Sequence, residues 1–131
     1  MGQYEYPDLR YYEQDKEILQ KYIDQRAKNG IADCDTWNFD NYLILIIIKG
    51  LRQLAKTTHG YPGRAPYNTF EEWQDYLFDL ADRFAVGYIY YYEPETIEKD
   101  AEIQAVLRNG GREILQDCFT ELGKNIFDMW D

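Results

Sequence analysis

Residues 38–56 read NFDNYLILIIIKGLRQLAK, and whether this stretch forms a strand or a helix decides the fold. Its unbroken apolar run, residues 42–48, suits a buried strand as well as a buried helix, because periodicity does not separate the two over so short a span. The flanks do. Phe39, Tyr42, Leu43, Ile46, Ile47, Leu51, Leu54 and Ala55 recur at steps of three and four, the spacing of a helical face. Asn38 or Asp40 can cap the start, and Lys56 stands near the negative end of the helix dipole. The stretch predicts one helix over residues 38–57, apolar nearly all round in its first half and therefore the central, most buried element.

Working outward, Pro7 and Asn29-Gly30 bracket a first amphipathic helix over residues 8–29, apolar at Leu9, Tyr12, Leu19, Tyr22, Ile23 and Ala27. On the other side, Thr69-Phe70-Glu71-Glu72 is a capping box, with Thr69 as N-cap and Glu72 reaching back. It opens a helix over residues 69–92, with Phe70, Trp73, Leu77, Leu80, Ala81, Phe84, Ala85 and Tyr88 on one face and Pro94 beyond its end. Helical spacing resumes over residues 95–109 and 111–130. Gly110-Gly111 lies between them, either breaking the segment in two or sitting in one kinked helix. Residues 57–73, TTHGYPGRAPYNTFEEW, read as the connection between helices. His59-Gly60 falls where a helix C-cap belongs, with Gly60 left-handed, and Pro62 and Pro66 stiffen the turn. The expected fold is all-α, a single-domain bundle of four to five helices over residues 1–131.

The composition agrees with that and narrows the function. A chain of 131 residues with 45% apolar and 17% aromatic side chains can bury a core of its own. A net charge of −10 argues against direct binding of nucleic acid or of an anionic membrane, and suits a basic partner. Cys34 and Cys118 have no CxxC spacing and read as buried thiols. The polar N-terminal stretch MGQYEYPDLR shows no signal or transit pattern, and no apolar run is long enough to span a bilayer. The cytoplasm is the expected compartment.

Four stretches carry a resemblance: "DTWNFDNYLILIIIKGLRQL", "HGYPG", "TFEEWQDYLFDLADRF" and "GGREILQDCFTELGKNIFDMWD". Together, over roughly residues 33–131, they resemble a widespread family of small acidic phage and prophage proteins. That family has an Asp-x-Trp-Asn-x-Asp helix start, a Gly-Tyr-Pro loop, a Glu-Glu-Trp helix and a terminal Leu-Trp. The chain departs from the pattern at Lys49-Gly50, where proline is usual in the apolar helix, and at Met129-Trp130. The resemblance implies phage origin and a helical fold, and it carries no catalytic residues. By analogy with other small phage proteins, it implies an inhibitor of bacterial defence of the anti-CRISPR kind, acting in the host bacterial cytoplasm.

The chemistry of individual residues points the same way. His59 has no histidine partner, and no GxSxG, HExxH, P-loop or GxGxxG motif is present. Neither an enzyme, nor a cofactor, nor a metal site is expected. Charge is unevenly placed: residues 38–68 hold one acid and four bases, whereas residues 69–100 hold nine acids and two bases. Glu71, Asp75, Asp79 and Asp82 fall at steps of four, four and three, which places them on one helical stripe about 16 Å long. Their repeat of about 6 Å approaches the phosphate spacing of a nucleic-acid strand, so the stripe can imitate a backbone or be an ordinary solvated face. Tyr90, Tyr91 and Tyr92 cannot all be buried on one helix side, and at least one is expected to be exposed beside Glu93, Glu95 and Glu98; it serves as an interface contact, or the rings wrap the helix end and cover the fourth segment. These ten residues form the candidate partner-binding set, facing a bacterial defence protein with a nucleic-acid groove. The protein acting this way would be a monomer or homodimer. Two alternatives remain. A basic patch of Lys49, Arg52, Lys56 and Arg64 would serve a self-associating phage assembly protein, and Arg52, Lys56, His59 and Arg64 would bind an anionic nucleotide signal.

Overall fold

In a computed structural model, the deciding stretch is helical from Phe39 to Thr57. The structure describes residues 15–130. They form α1 (Lys16–Asn29), α2 (Phe39–Thr57), α3 (Phe70–Tyr92) and α4 (Ala101–Asn125), with 3-10 turns at Asp33–Thr36, Pro94–Thr96 and Ile126–Asp128. The fold is all-α, and no strand occurs among the described residues. The expected start of the first helix, residues 8–14, lies outside them. The chain divides into two compact units, Met1–Ile46 and Ile47–Asp131.

In the first unit, Asp15 caps α1 by accepting the Ile18 N–H at 3.1 Å, and Gly30 ends it at φ 79°, a left-handed conformation that glycine adopts without penalty. Tyr22 and Ala32 form the buried centre, with Leu19, Ile23 and Cys34 packed against them. Beside them the Arg26 guanidinium grips Asp35 with both Nε and Nη2. The same carboxylate accepts the Ala32 N–H at 2.8 Å. The pair is nearly enclosed, with side chains 11% and 2% exposed.

The second unit holds the C-terminal half of α2 together with α3 and α4. The expectation that α2 is the most buried helix is corrected. Ile44, Ile48, Leu51 and Ala55 are buried along one stripe, whereas Phe39, Leu43 and Ile46 are exposed on another. A continuous apolar run covers every side of a helix, and only the stripe with neighbours is shielded from water. The deepest burial is on α3, where Trp73, Leu77, Leu80, Ala81 and Phe84 are at most 1% exposed. Gln74 of α3 donates to the Ala55 carbonyl at 2.8 Å and holds the end of α2 in place.

α3 and α4 run antiparallel. Phe84 meets Phe119 edge-on at 5.2 Å, and the Tyr76 hydroxyl donates to Glu121 at 3.0 Å while accepting from Asn125 at 2.8 Å. The separation into helices at 95–109 and 111–130 is corrected, because α4 passes through Gly110 and Gly111 unbroken. Gly111 lies at the crossing with α3. A β-carbon there would meet Tyr91 N at 2.7 Å and Gly87 O at 2.9 Å, so two backbones touch where a side chain would have held them apart. Gly87 faces Ile114 and Leu115 just as closely. Residues 95–100 are not part of the helix. They hold the end of the Pro94–Thr96 turn and the approach to Asp100, whose carboxylate caps α4 at the N–H groups of Glu102 and Ile103.

The loop ahead of α3 also corrects a detail. Gly60 is not left-handed; Gly63 is, at φ 74°. α2 ends instead on Thr58, whose N–H reaches the Leu54 carbonyl at 2.8 Å and whose buried hydroxyl both donates to Gly60 O and accepts from Gly60 N. The chain then turns through a cis Ala65-Pro66 bond, closed by Tyr67 N–H to Arg64 O at 2.7 Å.

Candidate functional site

Thr69 starts α3 as expected, accepting the Glu72 N–H at 3.2 Å while its hydroxyl donates to the Glu72 carboxylate at 3.1 Å. That start sets the register of the helix. With Trp73, Leu77, Leu80 and Phe84 buried, Glu71, Asp75, Asp79 and Asp82 all stand exposed on the opposite side. The four are not electrostatically equal. Asp82 pairs with Arg52 at 3.2 Å, and Asp79 pairs with Arg83 one turn on at 3.0 Å. Glu71 and Asp75 take part in no ion pair among the described residues, and they sit in the first two turns, where the helix dipole favours negative charge.

The steps of four and three that place the carboxylates continue past Asp82 to Val86 and Ile89, which are 42% and 38% exposed. The outer strip of α3 is therefore acidic along its first half and apolar along its second. The sequence reading ended this strip at Asp82, although the same spacing carried the signal for the other two residues.

The tyrosines are placed differently from expectation. Tyr90, Tyr91 and Tyr92 are all half-buried, and none is exposed. Tyr90 and Tyr91 flank the Gly111 crossing, and Tyr92 packs on Tyr88 at 4.9 Å and on Tyr91 at 4.8 Å. The close approach that Gly111 permits brings the α4 backbone against Tyr90 and Tyr91. Glu93 and Glu95 are exposed. Glu98 has a structural task, since its carboxylate accepts from the N–H groups of Lys99 and Asp100 ahead of α4.

The two arginines of the basic set are engaged with carboxylates. Arg52 holds Asp82, and Arg64 holds Asp128. Lys56 and His59 are exposed. An anionic ligand there would compete with carboxylates already in place. Gly60, Tyr61, Pro62, Asp128 and Trp130 line a cleft of about 130 Å³ beside the Arg64–Asp128 pair. Sequence reasoning missed it because residues 60–62 and 128–130 lie far apart along the chain.

Among the described residues, no three His, Cys, Asp or Glu side chains are grouped so as to hold a metal ion, and no helix is long and apolar enough to cross a membrane. Both thiols are free. Burial pushes Cys118 up from the ordinary thiol range, and burial followed by the Asp35 charge does the same to Cys34, so neither is an activated nucleophile. No protein-family model, curated protein or solved structure matches the chain.

Proposed function

We propose that this chain is a non-catalytic inhibitor that occupies a basic, nucleic-acid-binding groove of a bacterial defence protein, with the outer strip of α3 as its contact. The observation that carries this reading is the strip itself, Glu71, Asp75, Asp79, Asp82, Val86 and Ile89, exposed on the helix whose other side is buried deepest. Carboxylates followed along the same line by Val86 and Ile89 offer charge for steering and apolar area for a protein interface. The resemblance to small acidic phage proteins supplies the setting: a phage product acting in the host bacterial cytoplasm, in the manner of an anti-CRISPR protein. The partner is a protein, and neither nucleic acid, membrane nor cofactor is part of the mechanism.

Glu71 and Asp75 lead the contact, because Asp79 and Asp82 are partly neutralised by Arg83 and Arg52. The test is quantitative capture from bacterial lysate with the wild-type chain and a Glu71→Gln/Asp75→Asn double variant as baits. The expected catch is a basic nucleic-acid-handling protein that is released by salt, displaced by duplex DNA and held several-fold more weakly by the variant. A catch indifferent to salt, to DNA and to the variant would sink the reading.

A further inference from the structure

The cleft beside the Arg64–Asp128 pair has a composition that selects for cations. Tyr61 and Trp130 supply two aromatic rings, Asp128 a carboxylate, and Gly60 and Pro62 complete the wall without a basic side chain. Trp130 is 70% and Tyr61 48% exposed, so both rings stand outside the core and are accessible. Aromatic faces attract cations through their quadrupole, and a carboxylate at the same place adds direct charge. The site is already in use of this kind: Arg64 places Nη2 on Asp128 Oδ2, and no other described donor reaches that carboxylate. A second cation would share that carboxylate with Arg64, so the faces of Tyr61 and Trp130 supply the larger part of the attraction. The volume of about 130 Å³ has room for a guanidinium or methylated ammonium head.

We infer that this cleft is a recognition site for a cationic head group, a guanidinium or alkylated ammonium, held by Tyr61, Trp130 and Asp128. It shares no residue with the outer strip of α3 and stands or falls without it. The same chemistry could be presented by a free small cation or by an arginine side chain of a protein, and the test separates these sources. The indole N–H signals of the three tryptophans and the amide signal of Gly60 are followed by nuclear magnetic resonance at constant ionic strength. Tetramethylammonium, guanidinium, the uncharged tert-butanol and a blocked Gly-Arg-Gly peptide are titrated in turn.

The expected result is saturable movement of Trp130 and Gly60 with the cations, with Trp37 and Trp73 unmoved and tert-butanol without effect. Tighter binding of the peptide assigns the site to a protein side chain, whereas equal binding assigns it to a free cation, and both support the site. Asp128→Asn and Tyr61→Ala should each weaken binding by about tenfold. Because both residues lie near the surface, an unchanged circular dichroism spectrum establishes that the variants fold. Equal movement with tert-butanol, or no saturable movement with any cation, overturns the inference.

Discussion

Gly110 and Gly111 are neighbours in sequence and opposites in environment. A β-carbon at Gly110 meets nothing within 4 Å, whereas one at Gly111 meets α3 backbone at 2.7 and 2.9 Å. Flexible side chains can move aside; backbone atoms at a helix crossing cannot. Gly110→Ala should therefore leave stability unchanged or raise it by up to about 1 kcal/mol, through the lower entropy of the unfolded chain. Gly111→Ala should destabilise by about 2 kcal/mol or more, since the helices must separate to admit the methyl group. Urea unfolding of the two variants measures the difference directly, and equal midpoints would contradict the crossing. Asp35 gives a second contrast at this scale. Its carboxylate is 2% exposed and serves both Arg26 and the Ala32 N–H. Asp35→Ala strands the guanidinium and should destabilise the first unit by about 3–5 kcal/mol, while Arg26→Met/Asp35→Leu should recover most of that loss. Hydrogen exchange in α1 reports the unit specifically: fast exchange in the single variant and slow exchange in the double one are the expected pattern.

Between elements, the polar bridge from Tyr76 to Glu121 and Asn125 joins α3 to α4. Tyr76→Phe removes a donor from Glu121 and an acceptor from Asn125, and should cost about 1–2 kcal/mol in urea unfolding. The same interface sets a response to alkali. Burial, and then the bond to Glu121, raise the Tyr76 phenol above its ordinary pKa; burial also raises Cys118, with Arg83 opposing and Asp117, Asp79 and Glu121 reinforcing. Over the window between the ordinary and the raised value, the unfolded chain has lost its proton and the folded chain keeps it. The folded state then binds more protons, so stability falls as pH rises from the ordinary thiol range upward and is fully present below it. The urea midpoint should decline between pH 8 and 10.5, with a shallower decline in Cys118→Ala; parallel slopes in the two proteins would remove Cys118 from the account. What the sequence made legible at this scale follows from locality. The Thr69 cap, the buried face of α3 and the exposed carboxylates opposite it are all fixed by spacing within one helix. The role of Gly111 is not, because a glycine that breaks a helix and a glycine that admits a neighbouring helix look alike until the neighbour is known. The Arg52–Asp82 pair, 30 residues apart, and the Tyr61–Trp130 cleft were hidden for the same reason.

For the whole molecule, charge is the dominant long-range term. The net charge is −10, and residues 69–100 alone hold nine acids against two bases. The ion pairs that temper this on α3, Arg52–Asp82 and Arg83–Asp79, are exposed, and pairs of that type contribute about 0–1 kcal/mol each. Repulsion among the remaining carboxylates is spread over more partners and longer distances, so it is the term that salt screens most; the Debye length shortens to about 10 Å at 0.1 M. Raising sodium chloride from 20 to 300 mM should therefore raise the thermal midpoint by about 2–4 °C. Under the proposed function, the same salt should loosen the captured partner, because there opposite charges face each other. Salt thus moves fold stability and partner affinity in opposite directions. Scanning calorimetry and capture at matched salt concentrations measure the two together. A midpoint that falls with salt would mean that the arginine pairs outweigh the repulsion, and the acidic strip would then lack the excess charge that the proposed contact requires.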